Sequence, residues 1–145
     1  MLDLNAFLKK FPVTKEIAVA WGEQDALGHV NNTVFFRYFE SVRIEFFLQA
    51  EISLSDKVAP VLAKTDCKFI NPIYFPDDII AGSGVSNIGQ DRFNMDYGLF
   101  SKTRKQLVAL GSAMIVSFNY VDKTKVDLPN NWAKELEKIA STLSG

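Results

Sequence analysis

Glu23, Asp25, His29, Asn31 and Asn32 bring two carboxylates, the only histidine of the chain and two amides into one short polar stretch. A carboxylate there can attack a carbonyl carbon or take a proton from water. What would make it useful lies just downstream, because residues 33–50 hold no glycine or proline and read as a helix. A helix start offers unpaired backbone N–H groups and the positive end of its dipole. That combination stabilises the oxyanion formed when a carbonyl is attacked. Asn31 or Asn32 suits the N-cap, where a side-chain oxygen accepts an orphan N–H. Glu23 and Asp25 stand two residues apart. If the preceding strand runs that far, both share one face and their repulsion keeps one basic. The plainer reading is that Asp25 forms a turn and the asparagines only cap the helix. Residue type and spacing leave both readings open.

The elements that must position these groups follow from periodicity. Leu4, Phe7, Leu8 and Phe11, within residues 1–12, fit a short amphipathic helix ended by Pro12. Residues 13–21 alternate as a strand, with Ile17, Val19 and Trp21 on one face, and residues 22–30 form a loop with two glycines. The stretch 33–50 carries Val34, Phe35, Phe36, Tyr38, Phe39, Val42, Ile44, Phe46, Phe47 and Leu48 over most of its circumference. A helix of that kind is a buried one, and 18 residues span roughly 27 Å.

Strands are expected at 58–70, 78–88, 92–101 and 106–120, parted by Asn71-Pro72, Pro76-Asp77, Gly89-Gln90-Asp91 and residues 102–105. Short turns favour antiparallel pairing, and the last strand, apolar on both faces, should be central. Pro129 opens a C-terminal helix to about Thr142, docked by Trp132, Leu136 and Ile139. The expected architecture is α+β: a curved antiparallel five-stranded sheet around one long buried helix, in one domain over residues 1–145.

Composition removes several function classes. The net charge of −1, from 16 basic and 17 acidic residues, gives no surface for nucleic acid or membrane headgroups. No stretch approaches the roughly 20 apolar residues that span a bilayer, and the start lacks a signal-peptide pattern, so a cytoplasmic protein is expected. One cysteine, Cys67, excludes an internal disulfide, and it sits mid-strand as a packed residue. One histidine and one distant cysteine give no zinc spacing, and no phosphate-loop or dinucleotide glycine pattern occurs, so no metal or cofactor is implied. A curved sheet of this size leaves an edge strand open, and pairing with a second copy is expected.

The segment Trp21-Gly22-Glu23-Gln24-Asp25-Ala26-Leu27-Gly28-His29-Val30-Asn31-Asn32, followed by Phe35-Phe36-Arg37-Tyr38-Phe39-Glu40 and Arg43, resembles the signature of the 4-hydroxybenzoyl-CoA thioesterase branch of the hotdog superfamily. The likeness extends more weakly through Lys68-Phe69-Ile70-Asn71-Pro72 and Val85-Ser86-Asn87-Ile88-Gly89, covering roughly residues 13–121. It implies a hotdog fold and hydrolysis of an acyl-CoA to free acid and CoA. It also implies a homodimer or homotetramer with sites at the subunit interface. By the same resemblance Asp25 is the nucleophile or general base, and the backbone N–H of Asn32 polarises the carbonyl. Gly28 lets the loop approach substrate closely. His29 and Asn31 occupy polar positions and Glu40 an acidic position on the helix, all in supporting or substrate-binding roles. The sequence departs from the pattern at Glu23, where Asp is more usual, and at Phe35 and Phe36, where a Tyr is common. Gln90-Asp91-Arg92 also fills a turn where Ser often follows Ile-Gly. Two other readings use the same fold: an acyl-thioester dehydratase or isomerase pairing His29 with Glu40, and a non-catalytic acyl-CoA-binding module.

Overall fold

The computed structural model describes residues 2–141. Helix α1 (Leu4–Lys10) starts at Asp3, whose carboxylate accepts the Ala6 N–H at 2.8 Å. Strand β1 (Val13–Ala18) follows, then helix α2 (Asn32–Gln49) and the long strands β2 (Val58–Phe69), β3 (Asp78–Ser86), β4 (Arg92–Ser101) and β5 (Gln106–Asn119). Two residues form β6 (Thr124–Lys125), and α3 (Asn130–Ser141) closes the described chain. The expected end of that last helix, Thr142, lies outside the described residues.

The strands form one antiparallel sheet in the order β1-β3-β4-β5-β2, with β6 paired to β5. β5 is flanked by β4 and β2, as its two apolar faces predict, and β2 and β1 are the edges. Register slips once between Leu62 and Lys64 in β2 and once between Leu99 and Phe100 in β4. Such bulges bend and twist a sheet, and here they curve it around α2. The five strands β1–β5 and the central helix match the expected α+β hotdog architecture. β6 is an addition that its two polar residues did not announce.

The concave face carries Ile79, Ala81, Phe93, Met95, Tyr97, Leu99 and Ile115, packed against Phe35, Tyr38, Phe39, Val42 and Phe46 of α2. Phe39 stacks on Tyr97 with centroids 4.9 Å apart. It also lies so close to Gly111 that a Cβ there would stand 2.5 Å from its ring. Trp132 and Leu136 dock α3 to the same core.

The convex face has its own small core. Phe7 of α1 and Phe11 just past its end lie with Phe100 and Leu107 directly over Gly82 and Gly98, and a Cβ on either glycine would overlap the Phe11 side chain.

Two expectations are corrected. β1 ends at Ala18, and a 3-10 turn over Trp21–Glu23 follows, so Trp21 points outward and is 72% exposed instead of sharing the Val19 face. α2 is buried along one face and not all round: Leu48 is 65% exposed and Ile44 and Glu40 also face outward. A curved sheet covers only the side of a helix that it wraps, whatever lies on the other side.

Candidate active site

The polar stretch before α2 is a set of small nested turns. The Glu23 carboxylate accepts the Ala20 N–H at 2.7 Å and the Tyr38 hydroxyl at 2.8 Å through the same oxygen, tying the 3-10 turn to the helix. Burial, then that hydrogen bond and the Glu23 charge, hold the Tyr38 hydroxyl protonated far above its usual range. The Glu23 carbonyl accepts the Asn31 N–H, and Gln24 pairs with Val30 in an isolated bridge. Inside this loop the Asp25 N–H donates to the His29 carbonyl at 2.9 Å and the Asp25 carbonyl accepts from Gly28 N–H. Gly28 sits at φ +83, a left-handed conformation that a side chain would strain. The glycine therefore serves the turn itself, and a Cβ there would meet nothing within 4 Å.

Asp25 points one carboxylate oxygen back to the Leu27 N–H at 2.8 Å, an Asx turn. The other oxygen accepts no hydrogen bond among the described residues and faces the His29 Nδ1 at 3.9 Å. That separation is too long for a hydrogen bond. Glu23 and Asp25 do not share a strand face: Glu23 turns inward to Tyr38 while Asp25 heads the next turn. The expected like-charge pair is replaced by two carboxylates with separate partners, because the strand stops at Ala18.

Asn31 is the N-cap of α2. Its side-chain oxygen accepts the Thr33 N–H at 2.9 Å and the Thr33 hydroxyl at 2.8 Å, and its carbonyl accepts the Val34 N–H. The N–H of Asn31 is taken by Glu23. The Asn32 N–H has no partner among the described residues, while the flanking Asn31, Thr33 and Val34 N–H groups are all taken. It stands at the positive end of the helix dipole.

That amide lies at a cleft of about 210 Å³ lined by His29, Val30, Asn32, Phe35 and, from the end of β2 onward, Phe69, Ile70, Asn71 and Pro72. Phe69 meets Phe35 edge-on at 5.0 Å and forms an aromatic wall. Asn71 is fixed by donating to the Leu107 carbonyl at 2.8 Å, and the Ile73 carbonyl accepts the Val30 N–H at 2.8 Å. Phe69, Asn71 and Pro72 were readable in the sequence as a strand end and a breaker, and as part of a weaker stretch of the resemblance, with no site role. Asn71-Pro72 marks the chain leaving the sheet beside the helix start.

The structure thus brings His29 and Asn32 to one cleft, with Asn31 capping the helix between them, Asp25 outside the lining but 3.9 Å from His29, and Gly28 shaping the turn. Glu40 stands apart. It is exposed, lies 3.8 Å from Arg43, and lines a second cleft of about 300 Å³ with Phe36, Arg37, Arg43, Leu62 and Thr65. Cys67 is half-buried, and burial together with the Asp66 charge pushes its thiol up to about 11. Among the described residues no three His, Cys, Asp or Glu side chains gather as a metal site requires, and no helix is long and apolar enough to cross a membrane.

Known proteins resemble this chain in sequence or in fold. YsmA, an uncharacterized protein of Bacillus subtilis strain 168, is 26% identical over 88 residues, a match spanning 60% of this chain and 60% of that protein. A thioesterase from Thermus thermophilus, solved with coenzyme A and zinc, is 25% identical with a TM-score of 0.76, covering 87% of this chain and 98% of its own. A 1,4-dihydroxy-2-naphthoyl-CoA thioesterase from Synechocystis shares the fold at a TM-score of 0.80 and 20% identity, over 88% of this chain and 96% of its own. A thioesterase-superfamily protein from Jannaschia does so at 0.82 and 23% identity, over 97% and 93%. Residues 19–136, from the end of β1 into α3, match the family model of the thioesterase-like superfamily, and the chain belongs to that superfamily.

Proposed function

We propose that this protein hydrolyses an acyl-CoA to the free acid and CoA. Asp25 attacks the thioester carbon or activates the water that does so. The Asn32 N–H and the α2 dipole hold the carbonyl oxygen as it becomes an oxyanion. The single observation behind this reading is the unpaired Asn32 N–H at the cleft, flanked by the occupied amides of Asn31, Thr33 and Val34. The Asp25 oxygen that accepts no hydrogen bond, 3.9 Å from His29, supports it. Family membership and the coenzyme A bound to the Thermus relative favour a CoA thioester as substrate.

Phe35 and Phe69 line the acyl end of the cleft with rings. Two copies pair to complete the site, through the open edge that β2 presents. A dehydratase that combines His29 with Glu40 is disfavoured, because the two side chains line different clefts of the protomer.

The test is release of free thiol, followed with a disulfide reagent, over acetyl, medium-chain, long-chain and aromatic CoA esters. Hydrolysis of one class well above the uncatalysed rate is expected. Tight acyl-CoA binding with no thiol released over hours would point to a binding module instead.

A further inference from the structure

We propose that Arg104, stacked on Tyr74, binds a phosphate of the coenzyme A nucleotide. This inference rests on the acyl-CoA reading above and assigns the part of the substrate that the cleft does not hold. The turn between β4 and β5 carries Lys102, Arg104 and Lys105 in a chain whose net charge is −1. Lys102 is committed to Glu16 at 2.7 Å. Arg104 is not, and among the described residues it has no carboxylate partner. Its guanidinium lies 4.2 Å from the centroid of the Tyr74 ring. A guanidinium held flat on a ring keeps its N–H edge open, and that edge matches two phosphate oxygens.

The turn is held in place by a buried acid. Asp77, 7% exposed, accepts the Ser101 hydroxyl and the Thr103 N–H, and also the N–H of Asp78, while Ser101 Oγ accepts the Arg104 N–H at 3.1 Å. Asp77 thereby fastens the Arg104 turn to the loop that bears Tyr74. Such fastening fixes the stack in advance, so less ordering is needed when ligand binds.

The placement fits the reach of the substrate. Asp25 faces His29 at 3.9 Å, the His29 ring meets the Tyr74 ring edge-on at 6.5 Å, and Tyr74 carries Arg104. The pantetheine arm has rather more backbone than four extended residues, roughly 14 Å. It can run from a carbonyl at the helix start past His29 and Tyr74 and leave its diphosphate at Arg104.

The experiment compares an acyl-CoA with the same acyl group on N-acetylcysteamine, which has no phosphate, in the wild-type protein, Arg104→Ala and Arg104→Lys. The preference for acyl-CoA, read as the ratio of kcat/KM values, is expected to fall about tenfold or more in Arg104→Ala. A smaller fall is expected in Arg104→Lys, which keeps charge without the flat fork. An unchanged ratio, or equal losses on both esters, would overturn the assignment. Calorimetric titration with CoA itself separates this from the hydrolysis reading. Loss of CoA affinity in Arg104→Ala supports the phosphate site even if no thiol is ever released. Full thiol release with CoA affinity unaltered in Arg104→Ala removes the site and leaves hydrolysis standing.

Discussion

Between Trp21 and Asn31 the chain is held by single hydrogen bonds, and Asp25 keeps one carboxylate oxygen free of any. Two turns into α2, Phe39 lies wholly inside, stacked on Tyr97 and pressed on Gly111. The two regions meet at the Asn31 cap. One is polar, half-exposed and shaped by turns, while the other is apolar and close-packed. The difference teaches that α2 serves two ends by two means: its inner face anchors it to the sheet, and its first turn offers an amide to a ligand. Changes on the inner face should therefore act on stability, and changes in the turn on turnover.

The largest effect expected on that division comes from Phe39→Ala. It empties the contact with Tyr97 and Gly111 and should cost about 3–5 kcal/mol, read as a lowered urea midpoint. A loss under about 1 kcal/mol would show that the inner face does not anchor the helix.

Tyr38→Phe tests the seam between the regions. It removes one partly buried hydrogen bond to Glu23, while Ala20 N–H still pairs with that carboxylate. About 1 kcal/mol of stability should go, with a fall in kcat under tenfold and KM unchanged. A stability loss with kcat untouched would mean that the Glu23 link does not orient the Asp25 turn.

The smallest effect concerns Cys67, half-buried on β2 and not among the residues that line the cleft. Its thiol is pushed up to about 11, so the reactive thiolate is scarce at neutral pH. Iodoacetamide labelling should keep rising with pH toward about 11, where an ordinary thiol levels off near about 8.5. A plateau below about pH 9 would contradict the burial assigned to it.

Most of the scaffold was legible in the sequence. The four long strands after α2 and the capped helix follow from alternation, 3.6-residue spacing and the breakers between them. Asn31 was readable as one of two caps. What was not legible depended on the third dimension. Trp21 fits the alternating face of β1, but hydrogen bonds from Ala20 and Tyr38 to Glu23 turn the chain before it. α2 is apolar on most sides, yet how much of it is covered depends on the curve of the sheet. Asn71-Pro72 and Pro76-Asp77 read as breakers and Tyr74 between them carried no signal; only the fold brings that loop beside the helix start and the Arg104 turn. The Asp25 turn stood out by composition, and its chemical reading came from resemblance and not from periodicity.

The measurement that bears most directly on Asp25 is turnover of Asp25→Ala on the best acyl-CoA of the panel, taken together with its thermal unfolding curve. Loss of the base or nucleophile should lower kcat by roughly a hundredfold or more, with Tm close to that of the wild type because the turn contributes little packing. Near-wild-type turnover in a folded Asp25→Ala protein would contradict the account.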